Sequence, residues 1–278
     1  MEVLNGKELS EKLYEGLNNI TNKEKCKLII LTVGNDAASK VYVRNKIKAC
    51  ERVGIACENI VLEDNMDDMT FQSYLKDLIA KTFYDRKSPY ERGGIILQLP
   101  APKHYEDIFN MVIPAEFDVD GFGVQNQLTL YQGRKCVHYP ATPKGIMTLL
   151  DANNIEIEGK NVVIIGRSDI VGKPIAHMML QRNATVTICH SKTENLSSIT
   201  RMADILIVAI GKPKFINDTH VKDGVVVVDV GINRLEDGSI CGDVDYDRMH
   251  IKCAAITPVP RGVGPMTVYS LIENTLSL

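Results

Sequence analysis

Asn161-Val-Val-Ile-Ile-Gly166-Arg-Ser-Asp-Ile-Val-Gly172-Lys-Pro174 is an apolar run of strand length that enters a glycine-containing turn and then the apolar stretch Ile175 to Leu180. Small residues at Gly166, Ser168 and Gly172 let the backbone turn tightly and bring the N–H groups of a starting helix close to a pyrophosphate. The spacing is G-x-S-x-x-x-G rather than G-x-G-x-x-G, so the loop alone also suits an ordinary strand-to-helix turn. The next apolar run, Thr185 to Cys189, ends in His190-Ser191-Lys192-Thr193 with no acid before Glu194. An NAD site would place an Asp or Glu about 20 residues after the first glycine, to hold the ribose 2′-hydroxyl. A hydroxyl and an ammonium there, with Arg167 in the loop, suit a 2′-phosphate through charge-assisted hydrogen bonds. NADP is therefore the preferred cofactor, with NAD left open.

Outward from this loop, apolar runs alternate with segments of helical period, the pattern of an α/β protein with mainly parallel sheets. Asn161 to Ile165, Thr185 to Cys189, Ile205 to Ile210 and Val225 to Val230 read as four parallel strands with helices between them. Pro143 at a first helical position suits a helix from Thr142 to Asn153. A last strand, Ala255 to Val259, leads through a Pro- and Gly-rich turn into a helix from Thr267 to Leu276. In the first half, Lys27 to Val33, Asn59 to Leu62 and Gly94 to Leu99 read as strands. Lys7 to Ile20, Ala38 to Val53, Met69 to Phe83 and Tyr105 to Met111 read as helices. A chain of 278 residues exceeds the usual span of one hydrophobic core, so two domains are expected.

Composition narrows the class. Hydrophobic residues are 45% and charged residues 24% of the chain, as in a globular domain rather than a disordered segment. The formal net charge is -3, from 32 basic and 35 acidic side chains with no long block of either sign. No nucleic-acid or polyanion partner is expected on that balance. The longest apolar runs, such as Val225 to Val228, fall short of the roughly 20 residues that cross a bilayer, so no membrane association is expected. Met1-Glu-Val-Leu-Asn-Gly-Lys7 lacks the basic segment and apolar core of a secretory signal, and the cytoplasm is the expected compartment. Cys26, Cys50, Cys57, Cys136, Cys189, Cys241 and Cys253 form no C-x-x-C pair and have no His at zinc-ligand spacing; they read as reduced, mostly buried thiols, and no metal is expected.

Helix 38–53 carries the least expected side chain. At about 100° per residue, Tyr42, Lys46, Ala49 and Val53 line up beside Val43 and Cys50, opposite Arg44, Lys48 and Glu51, with Lys46 in the middle of the apolar arc. Such a lysine commonly lays its stem over apolar surface and keeps its ammonium in water. Held in a partly desolvated cleft, the ammonium would instead have a lowered pKa and serve as a base or electrostatic catalyst. Tyr42 would then stack on a flat ligand or hold the amine; otherwise it packs in the core. Gly94-Ile-Ile-Leu-Gln98-Leu-Pro-Ala-Pro102 sets a neutral amide at a strand end, and Phe117-Asp-Val-Asp120-Gly-Phe-Gly123 sets two carboxylates before a glycine turn. Asp118 and Asp120 could simply cap that turn.

Taken in order, Val41-Tyr42-x-x-x-Lys46-x-Lys48-Ala-Cys50, Gln98-Leu-Pro-x-Pro102, Asp118-Val-Asp-Gly-Phe122, Thr142-Pro-Lys-Gly145, Gly166-Arg-Ser-x-Ile-Val-Gly-Lys-Pro174 and Ile256-Thr-Pro-Val-Pro-x-Gly-Val-Gly-Pro-Met-Thr267 resemble the methylenetetrahydrofolate dehydrogenase/cyclohydrolase family along essentially the whole chain. The resemblance implies an N-terminal α/β substrate domain at 1–140, joined by the C-terminal helix 265–278, and a Rossmann-like domain at 141–264, with a cleft between them and a homodimer formed through the nucleotide domain. It implies NADP-dependent oxidation of 5,10-methylenetetrahydrofolate and hydrolysis of the methenyl product to 10-formyltetrahydrofolate. Lys46 would be the catalytic lysine, with Tyr42 over the pterin, Gln98 orienting the amine and Asp120 anchoring the pterin donors. Pro260 and Gly262 would line the folate side. Gly166, Arg167, Ser168, Gly172, Ser191, Lys192 and Ile232 would hold the cofactor, Arg167 and Ser191 meeting its 2′-phosphate.

Five positions depart from the family pattern: Arg261 stands for the first glycine of Pro-Gly-Gly-Val-Gly-Pro, Ala141 for a cysteine, Ala101 for a leucine, Phe117 for a basic residue, and Gly123 for a polar one. Arg261 is expected to point to solvent with ordinary φ; in a backbone geometry that only glycine tolerates it would be strained. Such departures leave two other readings: a dehydrogenase without the hydrolase, and a relative that binds folate or cofactor without turnover. A hydroxy-acid dehydrogenase would need a catalytic group such as His190, which reads more simply as a strand-end residue.

Overall fold

The computed structural model describes residues 1–17, 19–34 and 37–276. The chain begins β1 (Glu2–Val3), α1 (Gly6–Leu17), β2 (Cys26–Val33), α2 (Ala37–Val53), β3 (Ala56–Leu62), α3 (Asp68–Ile79), β4 (Arg92–Leu97), α4 (Lys103–Val112) and α5 (Val124–Tyr131). It continues α6 (Ala141–Ala152), β5 (Asn161–Ile165), α7 (Gly172–Gln181), β6 (Thr185–Cys189), α8 (Leu196–Thr200), β7 (Ile205–Val208) and β8 (Val226–Asp229). The last elements are β9 (Asn233–Arg234), β10 (Ile240–Cys241), α9 (Tyr246–Met249), β11 (Ala255–Ile256) and α10 (Val263–Leu276). Two compact units result, one of Leu13–Ala141 with Val268–Leu278 and one of Met1–Lys12 with Thr142–Thr267.

The first unit holds a parallel three-stranded sheet in the order β3-β2-β4. Strand alternation sends Ile29, Leu31, Ile95 and Leu97 to one face, where they bury Phe71 and Leu75 of α3 and Tyr105 and Phe109 of α4. On that face the Phe71 and Tyr105 rings meet edge to face at 4.5 Å. Asp67 caps α3 by accepting the Thr70 N–H at 2.8 Å, and the helix runs on into a π-helical turn, Ala80–Tyr84. Gly94 lets the 117–120 segment approach β4: a Cβ there would stand 2.2 Å from Val119 Cγ1, and Ile95 bridges Asp118. That contact carries the two carboxylates to the sheet.

The second unit is built on a six-stranded, all-parallel sheet in the order β1-β11-β8-β7-β5-β6. Covered on both faces, such strands are apolar without alternation; Val162 to Ile165, Ile205 to Val208 and Val226 to Asp229 are all buried. Val163, Leu206, Val208, Val227 and Ile256 form the centre of its core.

Several expectations change here. Residues 1–12, expected with the substrate domain, belong to the nucleotide unit, because β1 pairs with β11 through Glu2↔Ala255 and Val3↔Ile256. A two-residue strand has no periodicity to betray it. The final helix starts at Val263 rather than Thr267, since Pro265 falls in its first turn, where a missing N–H breaks no helical bond. Helix α5 had no counterpart in the sequence pattern. The seven cysteines are free thiols, with Cys26, Cys50, Cys136, Cys189 and Cys253 buried.

Candidate active site

Lys46 lies on the third turn of α2, half-buried, and its Nζ donates to Gln98 Oε1 at 3.0 Å. Gln98 follows β4 and is buried; its Nε2 donates to the Leu99 carbonyl at 2.7 Å. Spending the amide N–H on the backbone leaves the amide oxygen to face the lysine. Burial pushes the Lys46 ammonium below the ordinary lysine range, and the charge of Asp120 opposes that shift. Burial likewise pushes the Asp120 carboxyl up, with Lys46 pulling it back. An amine and a carboxylate thus influence each other beside a neutral acceptor.

Val43, Ala49, Cys50 and Val53 of α2 are buried, and Lys46, which falls in the middle of their arc at about 100° per residue, is half-buried. Tyr42 is 42% exposed, so core packing is not its role. The two carboxylates of the glycine turn divide. Asp118 is fully buried and accepts from the N–H groups of Gly121 at 3.0 Å, Phe122 at 3.1 Å and Gly123 at 2.8 Å, and from Asn126 Nδ2 at 2.8 Å. It caps the turn, and burial raises its carboxyl to about 6. The charge of Asp120, two residues on, acts instead on Lys46.

In the second unit, Gly166 follows β5 with φ +128, and a Cβ there would stand 2.3 Å from the Ala209 carbonyl oxygen. A Cβ on Gly172 would meet the Gly166 oxygen at 2.3 Å. Ser168 Oγ accepts from Val171 N at 3.2 Å and Gly172 N at 3.3 Å, closing the loop onto the start of α7. Arg167, Ser191 and Lys192 are exposed, at the ends of β5 and β6. The glycine cradle and these donors fit a dinucleotide bearing a 2′-phosphate.

The sequence matches the family model described as tetrahydrofolate dehydrogenase/cyclohydrolase, catalytic domain, over residues 4–120, and its NAD(P)-binding domain over 140–278. This chain belongs to the tetrahydrofolate dehydrogenase/cyclohydrolase family. It is 47% identical to the bifunctional protein FolD of Campylobacter hominis over 285 residues, covering 99% of this chain and 96% of that protein. Among solved structures, the bifunctional FolD of Campylobacter jejuni is 43% identical with a TM-score of 0.90, covering 99% of this chain and 97% of that one. The Trypanosoma brucei methylenetetrahydrofolate dehydrogenase-cyclohydrolase, solved with NADP and an inhibitor, is 30% identical with a TM-score of 0.88, over 99% and 96% of the two chains.

Within this member of the dehydrogenase/cyclohydrolase family, Tyr42, Lys46, Gln98 and Asp120 fall in the catalytic-domain match, while Gly166, Arg167, Ser168, Gly172, Ser191, Lys192, Ile232, Pro260 and Gly262 fall in the NAD(P)-binding match. Phe117 is buried and stacks against Phe83 with ring centroids 4.5 Å apart. Ala141 is buried at the start of α6. Arg261 corrects the expectation of ordinary φ: it is exposed to solvent, as expected, but keeps φ +87. The strain is held because its carbonyl accepts the Lys7 N–H at 2.9 Å, and a Cβ on Gly262 would stand 2.5 Å from the Pro258 oxygen. Two buried carboxylates, Asp229 and Asp243, lie outside the predicted set. Their only sequence signal was an Asp close to a glycine in Asp229-Val-Gly231 and Gly242-Asp243.

Proposed function

We propose that this chain oxidises 5,10-methylenetetrahydrofolate with NADP and hydrolyses the methenyl product to 10-formyltetrahydrofolate. The observation that carries the reading is the Lys46 amine held by Gln98 and depressed by burial beside Asp120. Bound NADP supplies a hydride acceptor, and the nitrogen lone pair of the N–CH2–N bridge replaces the C–H bonding pair as C=N forms. No residue need remove a proton in that step, so positioning dominates it. Tyr42 presents its exposed ring to the folate, and Asp120 anchors the pterin donors. Gly166, Ser168 and Gly172 would frame the pyrophosphate, Arg167, Ser191 and Lys192 would receive the 2′-phosphate, and Ile232 would meet the nicotinamide; Pro260 and Gly262 are assigned to folate on the resemblance alone.

Hydrolysis needs a proton carrier. Water adds to the methenyl carbon while neutral Lys46 takes a proton from it; of the water's two protons, one ends on the folate N5 as the C–N5 bond breaks and one is released. Lys46→Met is expected to abolish hydrolysis, read as decay of the methenyl absorbance, while NADPH formation from methylenetetrahydrofolate stays measurable. Equal loss of both would sink this division of roles. Asp120→Ala is expected to raise KM for folate at least tenfold, and an unchanged KM would remove it from the site.

The assembly is proposed to be a homodimer through the nucleotide unit. Edge strand β6 supports this, with Thr185, Thr187 and Ile188 exposed at the unpaired margin of its sheet. No helix among the described residues is long and apolar enough to cross a membrane; the proposed compartment is the cytoplasm, which cell fractionation tests.

A further inference from the structure

Two carboxylates are buried at the C-terminal edge of the six-stranded sheet, Asp229 at 3% and Asp243 at 0% exposure. Asp229 ends β8. Its Oδ1 accepts from Gly231 N at 2.9 Å and Asp243 N at 3.0 Å, and its Oδ2 from Val244 N at 2.9 Å. Asp243 Oδ2 accepts from Ile210 N at 2.7 Å and Gly211 N at 3.0 Å; its Oδ1 accepts from Lys212 N and Asn233 Nδ2, each at 2.8 Å. Each carboxylate also packs against a glycine of the other's loop. A Cβ on Gly242 would stand 1.8 Å from Asp229 Oδ2, and one on Gly231 would stand 2.3 Å from Asp243 Cγ. Among the described residues neither forms an ion pair, so backbone N–H groups and one amide carry the whole burden of solvating them. The loop after β7, the loop after β8 and the turn at 242–244 are thereby tied together.

The place of these loops gives the arrangement a use. In an open parallel sheet a dinucleotide lies outside the carboxyl ends of the strands, at the point where strand order reverses. Here that point is between β5 and β7, where the Gly166 loop touches Ala209. With Ser191 and Lys192 exposed at the end of β6, the adenosine half would lie toward β6 and the other half would lie over the ends of β7 and β8. That is where Ile210–Lys212 turn their N–H groups inward to Asp243, and where Ile232 stands 48% exposed.

We propose that Asp243, backed by Asp229, is a positioning residue for the nicotinamide half of the cofactor, shaping the Ile210–Lys212 and Gly231–Asn233 loops that wall it. This rests on the NADP reading above. An Asp243→Asn change replaces an acceptor oxygen with a donor that faces backbone N–H groups, and Asn233→Ala removes one bond while keeping both carboxylates. Three measurements on each variant separate the outcomes: hydride transfer with NADP, competitive inhibition by 2′,5′-ADP, which lacks the nicotinamide half, and hydrolysis of the methenyl substrate, which counts folded enzyme. For Asp243→Asn, kcat/KM for NADP should fall at least tenfold, with the 2′,5′-ADP inhibition constant within about twofold of wild type. Asn233→Ala should show the same split at about threefold. If Asp243→Asn does not fold, Asn233→Ala decides. Losses shared equally by NADP and 2′,5′-ADP, or no loss at all, would overturn the positioning role. Wild-type enzyme without NADP-linked hydride transfer would instead overturn the function reading, and this inference with it.

Discussion

The environment of Lys46 underlies the role proposed for it. A lysine in water keeps its proton to about pH 10.4 and cannot act as a base near neutrality. Burial favours the neutral amine, and the Asp120 charge restrains the shift. Hydrolysis should therefore rise with pH as the Lys46 ammonium loses its proton, along a limb centred below the ordinary lysine value. Hydride transfer should lack that limb, and Lys46→Met should erase it. At Arg261 the strain is in the backbone. A side chain at φ +87 costs about 1–2 kcal/mol, partly offset because glycine loses more entropy on folding. Arg261→Gly is accordingly expected to stabilise the fold by about 0.5–1 kcal/mol, read as a higher urea midpoint. A lower midpoint would show that the side chain makes stabilising contacts.

At the scale of elements, two turns carry separate duties. The Asp118 turn is structural: its carboxylate satisfies three backbone N–H groups and Asn126. Asp118→Ala strands those buried donors at about 1–3 kcal/mol each before relaxation, so a loss of roughly 3–5 kcal/mol is expected in chemical denaturation, of the order seen when a buried charged group loses its partners. A loss below about 1 kcal/mol would mean that water replaces the carboxylate. The turn after β5 is the one proposed to hold the cofactor. Arg167 is exposed beside Gly166, and a charge-assisted contact to a phosphate is stronger than one to a hydroxyl. Arg167→Ala should raise KM for NADP about tenfold and leave that for NAD unchanged; parallel changes would show that Arg167 does not read the 2′-phosphate.

At the scale of the whole molecule, the catalytic-domain and NAD(P)-binding matches together span nearly all of the chain, and the family follows from that coverage rather than from any single motif. The homodimer is a further expectation at this scale. Light scattering should return twice the 30.9 kDa chain mass, and Ile188→Lys on edge strand β6 should lower it toward one, because a buried ammonium at an interface core is costly. A single-chain mass for the wild type would dismiss the dimer.

Strand and helix order, the glycine loop and the lysine on α2 were legible in the sequence because each depends on neighbours a few residues away. Apolar period, turn glycines and an out-of-place charge are local signals. Short elements such as β1, and the start of α10 ahead of Pro265, were not legible, since a two-residue strand exists only through its partner and a first-turn proline reads equally as a break. Among the candidate residues, the sequence by itself determined that a lysine falls in the apolar arc of α2 and that small residues stand at positions 166, 168 and 172. Only the tertiary structure decided which carboxylate caps the turn and which acts by its charge on the lysine, that Arg261 keeps a glycine's φ, and that Asp229 and Asp243 bind three loops together. Those outcomes rest on hydrogen bonds and close contacts between residues far apart along the chain, which no local pattern encodes.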